Sequence, residues 1–181
     1  MSCKLETERL LLRYPEAGDV TTIASLIGDF EVSKNLGTVP HPYAEEDAMT
    51  WFSSLADRRA RGEAYQFGVT RKSDGAYMGG CGLHLKDGEF ELGYWFGKPY
   101  WRQGYATEAA RRLVVFAFDD LKAAGVWAGW FHDNPRSGHV LAKLGFRPKG
   151  FEKRACMARG EDVGCNIVTL DRAAFGERRA A

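Results

Sequence analysis

The chain has 181 residues, 45% of them hydrophobic and 27% charged, with a formal net charge of +1. These figures fit a single soluble domain with a packed core and exclude a disordered chain. With no excess of Lys and Arg to displace counterions there is no nucleic-acid footprint. No apolar run approaches the length of a bilayer span, the longest lying at residues 113–118, so no membrane partner is expected.

The predicted elements follow in order. Leu10–Arg13 reads as a strand. Asp19 is placed to cap a helix reaching Ile27, with Val20, Ile23, Ala24 and Ile27 on one face. Residues 30–43, which include Pro40 and Pro42, read as a loop. Residues 45–59 read as a helix, with Ala48, Trp51, Phe52 and Leu55 at helical spacing. Strands are expected at 65–69, 77–85 and 90–96, separated by the turn signals Ser73-Asp74-Gly75 and Lys86-Asp87-Gly88. A helix then carries Ala110, Leu113, Val114, Ala117 and Leu121 on one face and ends at Gly125. A buried strand at 126–131 follows, then a short helix at 137–144 stopped by Gly145. Strands at 146–157 and 163–170 are joined by Ala158-Arg159-Gly160-Glu161, and residues 177–181 are expected to fray. One domain spans 5–172, with 173–181 as a tail. The order is α+β with a mixed sheet, not the strict alternation of a doubly wound nucleotide fold.

The four cysteines, Cys3, Cys81, Cys156 and Cys165, form no C-x-x-C pair and have no His at zinc spacing. Reduced thiols in a cytoplasmic protein without a bound metal are the reading. Lys4, Glu6, Glu8 and Arg9 put charge where a signal peptide would be apolar.

Two stretches carry chemistry. Tyr100-Trp101-Arg102-Gln103-Gly104-Tyr105-Ala106-Thr107-Glu108-Ala109 sets a small-residue loop between a strand and an amphipathic helix. The N–H groups of a first helical turn have no internal partner and sit at the positive end of the helix dipole, which suits a phosphate. Gly104 lets a pyrophosphate approach the backbone, and Arg102 can add a charge-assisted bond. Glu108 is expected to face away from the anion. The loop alone is also compatible with an ordinary strand-to-helix turn hinged at glycine. Some thirty residues on, Asn134-Pro135-Arg136-Ser137 precedes Lys143-Leu144-Gly145-Phe146. The pair of signals narrows the reading to acyl-CoA chemistry.

Residues 101–106 resemble the phosphate loop of the GNAT superfamily of acyl-CoA-dependent N-acetyltransferases, Gln/Arg-x-x-Gly-x-Gly/Ala, with Gly104 and Ala106 matching and Trp101 departing. The Tyr100-Trp101 pair, Gly104-Tyr105-Ala106-Thr107-Glu108-Ala109, the opening Thr7-Glu8-Arg9-Leu10-Leu11-Leu12-Arg13 and Glu91-Leu92-Gly93-Tyr94-Trp95 look like its Rim-type branch of ribosomal-protein acetyltransferases. The resemblance covers residues 5–170. It implies a mixed, mostly antiparallel twisted sheet flanked by helices on both faces, acetyl-CoA as acyl donor, and a primary amine as acceptor, on a small molecule or a peptide N-terminus.

The resemblance also implies site residues. Trp95, Phe96, Arg102, Gln103, Gly104, Tyr105, Ala106, Thr107 and Asn134 would hold the cofactor, with Trp95 and Phe96 on a strand that splays from its neighbour and pairs with pantetheine. Many members use a tyrosine seven residues after the Asn to protonate the thiolate. Here that position is Leu141, and Ser137 stands where Rim-type enzymes place a serine. Ser137 is also a suitable N-cap. Glu91 is the preferred base, by analogy with an acidic residue of the Rim-type motif, and His84 the second candidate; an exposed alternate-face carboxylate and a satisfied sheet histidine are the plain alternatives. His132 reads as structural. Residues 30–43 and 158–161 lie where the superfamily receives its acceptor. The sequence leaves a homodimer open. Two rival functions stay in view, a non-catalytic acyl-CoA-binding module, which Leu141 suggests, and a mononucleotide-binding protein.

Overall fold

In the computed structural model, which describes residues 3–180 and side chains 3–176, eight strands form one sheet. They are β1 (Lys4–Glu6), β2 (Leu10–Arg13), β3 (Ala64–Arg71), β4 (Tyr77–Lys86), β5 (Glu89–Phe96), β6 (Gly125–Phe131), β7 (Arg147–Cys156) and β8 (Glu161–Asp171). The order is β1-β2-β3-β4-β5-β6-β8-β7, antiparallel throughout except for parallel β5 and β6. The helices are α1 (Val20–Ile27), α2 (Phe30–Ser33), α3 (Glu45–Ala60), α4 (Tyr105–Asp119), α5 (Pro135–Leu144) and α6 (Arg172–Ala180).

Strand parity divides the core. Leu10, Leu12, Phe67, Val69, Leu83, Leu92 and Phe96 meet Ala109, Ala110, Leu113, Val114 and Ala117 of α4 and Leu141 of α5 in the main cluster. The i, i+3, i+4 spacing of α4 therefore buries a continuous stripe, each large side chain contributing roughly 1.5–3 kcal/mol. The opposite face packs Val20, Ile23 and Ala24 of α1 and Ala48 of α3 around Tyr77, with Trp51, Phe52 and Trp95 against them. Helices thus cover both faces, as expected.

Several boundaries differ from the sequence reading. β1 was not foreseen; it is three residues long and pairs only with β2. Asp19 precedes α1 but its side chain does not cap that helix; it takes two bonds from Arg13, at 2.7 and 2.8 Å, and reaches back to Glu16 N–H across the short turn at Ala17–Asp19. The loop at 30–43 begins as helix α2, capped by the Asp29 side chain accepting from Glu31 N–H. α4 ends at Asp119, so Leu121 lies beyond the helix and Gly125 opens β6. α5 starts at Pro135, whose fixed φ suits a first helical position. Residues 172–180 form α6, with Phe175 stacked on Phe118, where a tail was expected; Ala181 lies outside the described residues. Asp87 and Gly88 both have positive φ, as a two-residue Asp-Gly hairpin demands.

Candidate active site

The central fact is a split in the sheet. β5 and β6 are in register only at Phe90↔Val126 and Glu91↔Trp127. Beyond that point the strands part, and a cleft of about 1840 Å³ opens between and beside them. Gly97 N–H donates to Met78 of β4 at 2.9 Å. Alternation along the strand then turns the N–H groups of Tyr94 and Phe96 toward the gap, where β6 is no longer in reach. The expected splayed strand is present, and its free edge can pair with an extended amide chain.

At one mouth of the cleft lies the 101–108 loop. Gly104 has φ of +82° and is the N-cap of α4; Arg102 also has positive φ, +62°. A non-glycine residue held there costs of order 1 kcal/mol or more, and the cost is borne at the loop that turns the chain into α4. Among the described residues the N–H groups of Gly104, Tyr105, Ala106 and Thr107 donate to no protein acceptor. Four main-chain donors at a helix N-terminus stand ready for an anion. Arg102 is exposed beside them.

The side chains of this loop have other tasks. Gln103 folds back, its amide donating to Pro99 O at 2.9 Å. Tyr105 is 7% exposed, its ring beneath the Arg9 guanidinium at 4.5 Å. Trp101, the position that departs from the superfamily motif, donates its indole N–H to Phe96 O at 2.6 Å, and Arg136 lies over its ring at 5.5 Å. It ties the end of β5 to the start of α5.

Glu108 does face away from the anion. Its carboxylate accepts from Thr7 Oγ1 at 2.6 Å, Arg9 N–H at 2.9 Å and Arg9 Nε at 2.7 Å, while Arg9 Nη1 reaches Gln103 O at 3.0 Å. Burial alone would raise the Glu108 pKa, but the bonds from Thr7 and Arg9 outweigh it and the net direction is down. Thr7 and Arg9, at the far N-terminus of the chain, therefore brace the loop nearly a hundred residues away.

Ser137 lies in the first turn of α5, not at its cap. Asn134 is the N-cap residue and its side chain makes no capping bond. Ser137 Oγ sits 2.9 Å from the Tyr94 hydroxyl, whose single proton faces that Oγ or Ser137 O at 3.1 Å; donated to Oγ, it leaves the serine's own proton free. Burial pushes the Tyr94 phenol up, against a smaller opposing effect of Ser137. Tyr94 keeps its proton and fixes the serine at the rim of the gap. Sequence reasoning missed this residue; its signal was a polar-tipped aromatic in the apolar series Phe90, Leu92, Tyr94, Phe96 on one strand face.

On the other sheet face, Glu91 sits at the last paired position, the apex of the split. Arg154 Nη1 binds it at 2.8 Å, binds Glu152 at 2.5 Å through Nε, and lies over Trp127 at 4.7 Å. Glu91 is thus a paired carboxylate, not a solvated one. His84, its register partner on β4, has both ring nitrogens engaged. Nδ1 accepts from Arg58 at 3.2 Å, and the Gln66 amide faces Nε2. With Nδ1 accepting, Nε2 carries the proton, and a satisfied Gln66 presents its oxygen. Burial, helped by the Arg58 charge, lowers the His84 pKa to about 4. Its lone pair is spent, so it is no base. His132 lies near Gly164 O, in keeping with a structural role. Gly93, two residues past Glu91 on the same face, has open space where a Cβ would stand.

Comparison with known proteins agrees with this geometry. The family model of the acetyltransferase (GNAT) domain matches residues 9–147. The uncharacterised N-acetyltransferase p20 of Bacillus licheniformis is 29% identical over 169 residues, covering 92% of this chain and 94% of that one. Mycobacterium smegmatis RimJ, solved with CoA-disulfide, superposes with a TM-score of 0.82 at 19% identity, covering 99% of this chain and 93% of that one. Spermidine N-acetyltransferase from Vibrio cholerae, solved with CoA and spermine, gives a TM-score of 0.79 at 16% identity over 93% and 99% of the two chains. The chain belongs to the GNAT acetyltransferase family and is an acyl-CoA-dependent N-acetyltransferase.

Proposed function

We propose that the four unpartnered N–H groups at Gly104–Thr107 hold the pyrophosphate of acetyl-CoA, that Arg102 adds a charged contact, and that the free edge of β5, through the N–H groups of Tyr94 and Phe96 and not through Trp95, whose main chain faces β4, pairs with the pantetheine amides. The unpartnered donors are the observation that carries this reading, because an anion is what satisfies them. Asn134, with its side chain uncommitted to the helix cap, lines the same cleft.

The acceptor nitrogen attacks the thioester carbonyl carbon over Gly93. The C–N bond forms, the carbonyl oxygen takes the charge, and the N–H of Phe96 or Tyr94 at the gap stabilises it, an interaction worth roughly 3–4 kcal/mol where measured in other enzymes. The C–S bond then breaks. Ser137 gives a hydrogen bond to the departing thiolate, with Tyr94 holding its rotamer. An α-amine, with pKa about 7.7–8.0, loses its proton at pH 7 for about 1 kcal/mol, so Glu91 need only receive it through water. A carboxylate already bound by Arg154 suits that modest task better than direct abstraction from a lysine-like amine. Four unpaired thiols are in keeping with the cytoplasm as its compartment.

Calorimetric titration with acetyl-CoA tests the first half. Saturable binding together with thiol release on adding an amine supports it; no binding at millimolar acetyl-CoA ends it. Binding without thiol release from any amine would restore the non-catalytic alternative.

A further inference from the structure

The acceptor half of the cleft has an uneven balance of charge. Five acidic residues line the cleft, Glu31, Asp47, Glu91, Asp133 and Glu152. Each is already engaged: Glu31 by Lys34, Asp47 by Ala44 N–H at the start of α3, Glu91 and Glu152 by Arg154, and Asp133 by Arg159. Arg58, half-buried on α3, is the reverse case. It lines the same cleft, and its one hydrogen bond among the described residues goes to neutral His84. The carboxylate its charge reaches, Glu63, is bound by Arg61 at 2.6 and 3.0 Å. A guanidinium has five N–H donors in a planar fork that matches a carboxylate. A cation left facing a cleft with most of those donors unused calls for an anion from outside the chain.

We infer that the acceptor is an amine that carries a carboxylate, with Arg58 binding the carboxylate while the amine sits over Gly93 beside Glu91. This deepens, and rests on, the acetyl-transfer reading above. The separation favours a dipeptide-like spacing. Cross-strand neighbours such as His84 and Glu91 have Cβ atoms about 5 Å apart, and Arg58 lies a ring-width beyond His84. The carboxylate therefore binds several bonds away from the amine, further than in a free α-amino acid. A polyamine fits less well, because four of the five lining carboxylates, all but Asp47, are already paired with a cation of the chain.

The test compares acceptors that differ in one charge. Thiol release from acetyl-CoA is followed with Ala-Gly as the free acid, with its C-terminal amide, and with spermidine. The free acid should exceed both in kcat/KM, by about 10- to 100-fold over the amide, the usual scale for a charge-assisted bond. Arg58→Gln should collapse the acid-to-amide ratio toward one, and Arg58→Lys should restore part of it. Equal or better turnover of the amide or of spermidine, no turnover of the free acid, or an intact ratio in Arg58→Gln would each overturn the inference. Acetyl-CoA affinity, measured alongside, separates the cases: if it is retained, only the acceptor assignment falls; if it is absent, the acetyl-transfer reading falls as well.

Discussion

The two halves of the cleft are built by different means. The half proposed for the coenzyme is main chain: a positive-φ glycine, the first turn of α4 and the unpaired edge of β5. The half proposed for the acceptor is side chain: Glu91 from β5, His84 from β4, Gln66 from β3, Arg58 from α3 and Arg154 from β7. Main-chain donors recognise any diphosphate in the same way. A side-chain lining is particular to one acceptor and can change without disturbing the donor site.

If that division holds, substitutions should separate the two functions. The largest effect belongs to Gly104→Glu, which adds bulk and charge at the anion site and strains a φ of +82°. Calorimetry should show acetyl-CoA affinity down by at least about 10²-fold, with the fold retained by circular dichroism; unchanged affinity would mean the wrong loop. Ser137→Ala should lower kcat by about 10- to 100-fold with little change in acetyl-CoA affinity, the scale of a lost hydrogen bond to a charged leaving group. If kcat holds, Ser137 serves α5 alone.

Gly93→Val uses the open space above that residue. It should reduce kcat/KM for the acceptor about tenfold or more, since small misplacements at a reacting centre are costly, while acetyl-CoA titrates normally. Loss of acetyl-CoA binding as well would show that the halves are not separable there. Tyr94→Phe removes only the hydroxyl that holds Ser137, and kcat should fall about five- to tenfold, the scale of one hydrogen bond.

A separate effect, outside catalysis, is on stability. His84 has a folded pKa near 4 against a usual 6.5. In that window the unfolded chain binds a proton that the folded chain does not, so stability falls as pH drops from 6.5 toward 4. The loss is at most about 3 kcal/mol, or roughly 5–10 °C in melting temperature. His84→Gln should flatten that part of the curve; an unchanged pH profile would show that His84 titrates normally.

Some of this architecture was legible from residue order. Ala109, Ala110, Leu113, Val114 and Ala117 mark α4 because burial of one stripe imposes its period on the sequence. The turn before it was legible too, because Gly104 stands where the chain needs a positive φ to enter the helix. The start of α5 was misplaced by two residues: Ser137 satisfies the cap rule, yet Asn134-Pro135 supplies an earlier start. Glu91 could be singled out by its place in a motif, but not its pairing with Arg154, 63 residues away.

By itself, then, the amino-acid order determined α1, α3, α4, α5 and the hairpin turns, all set by contacts within a few residues, but not α2 or α6. Tertiary structure alone decided that β5 and β6 part after Glu91, that Thr7 and Arg9 brace Glu108, that Tyr94 holds Ser137, and that Arg58 has no carboxylate bound to it among the described residues. Those facts depend on which distant segments the sheet order brings together. Local spacing carries no record of them, because the partners are joined by packing and charge across the fold and not by position along the chain.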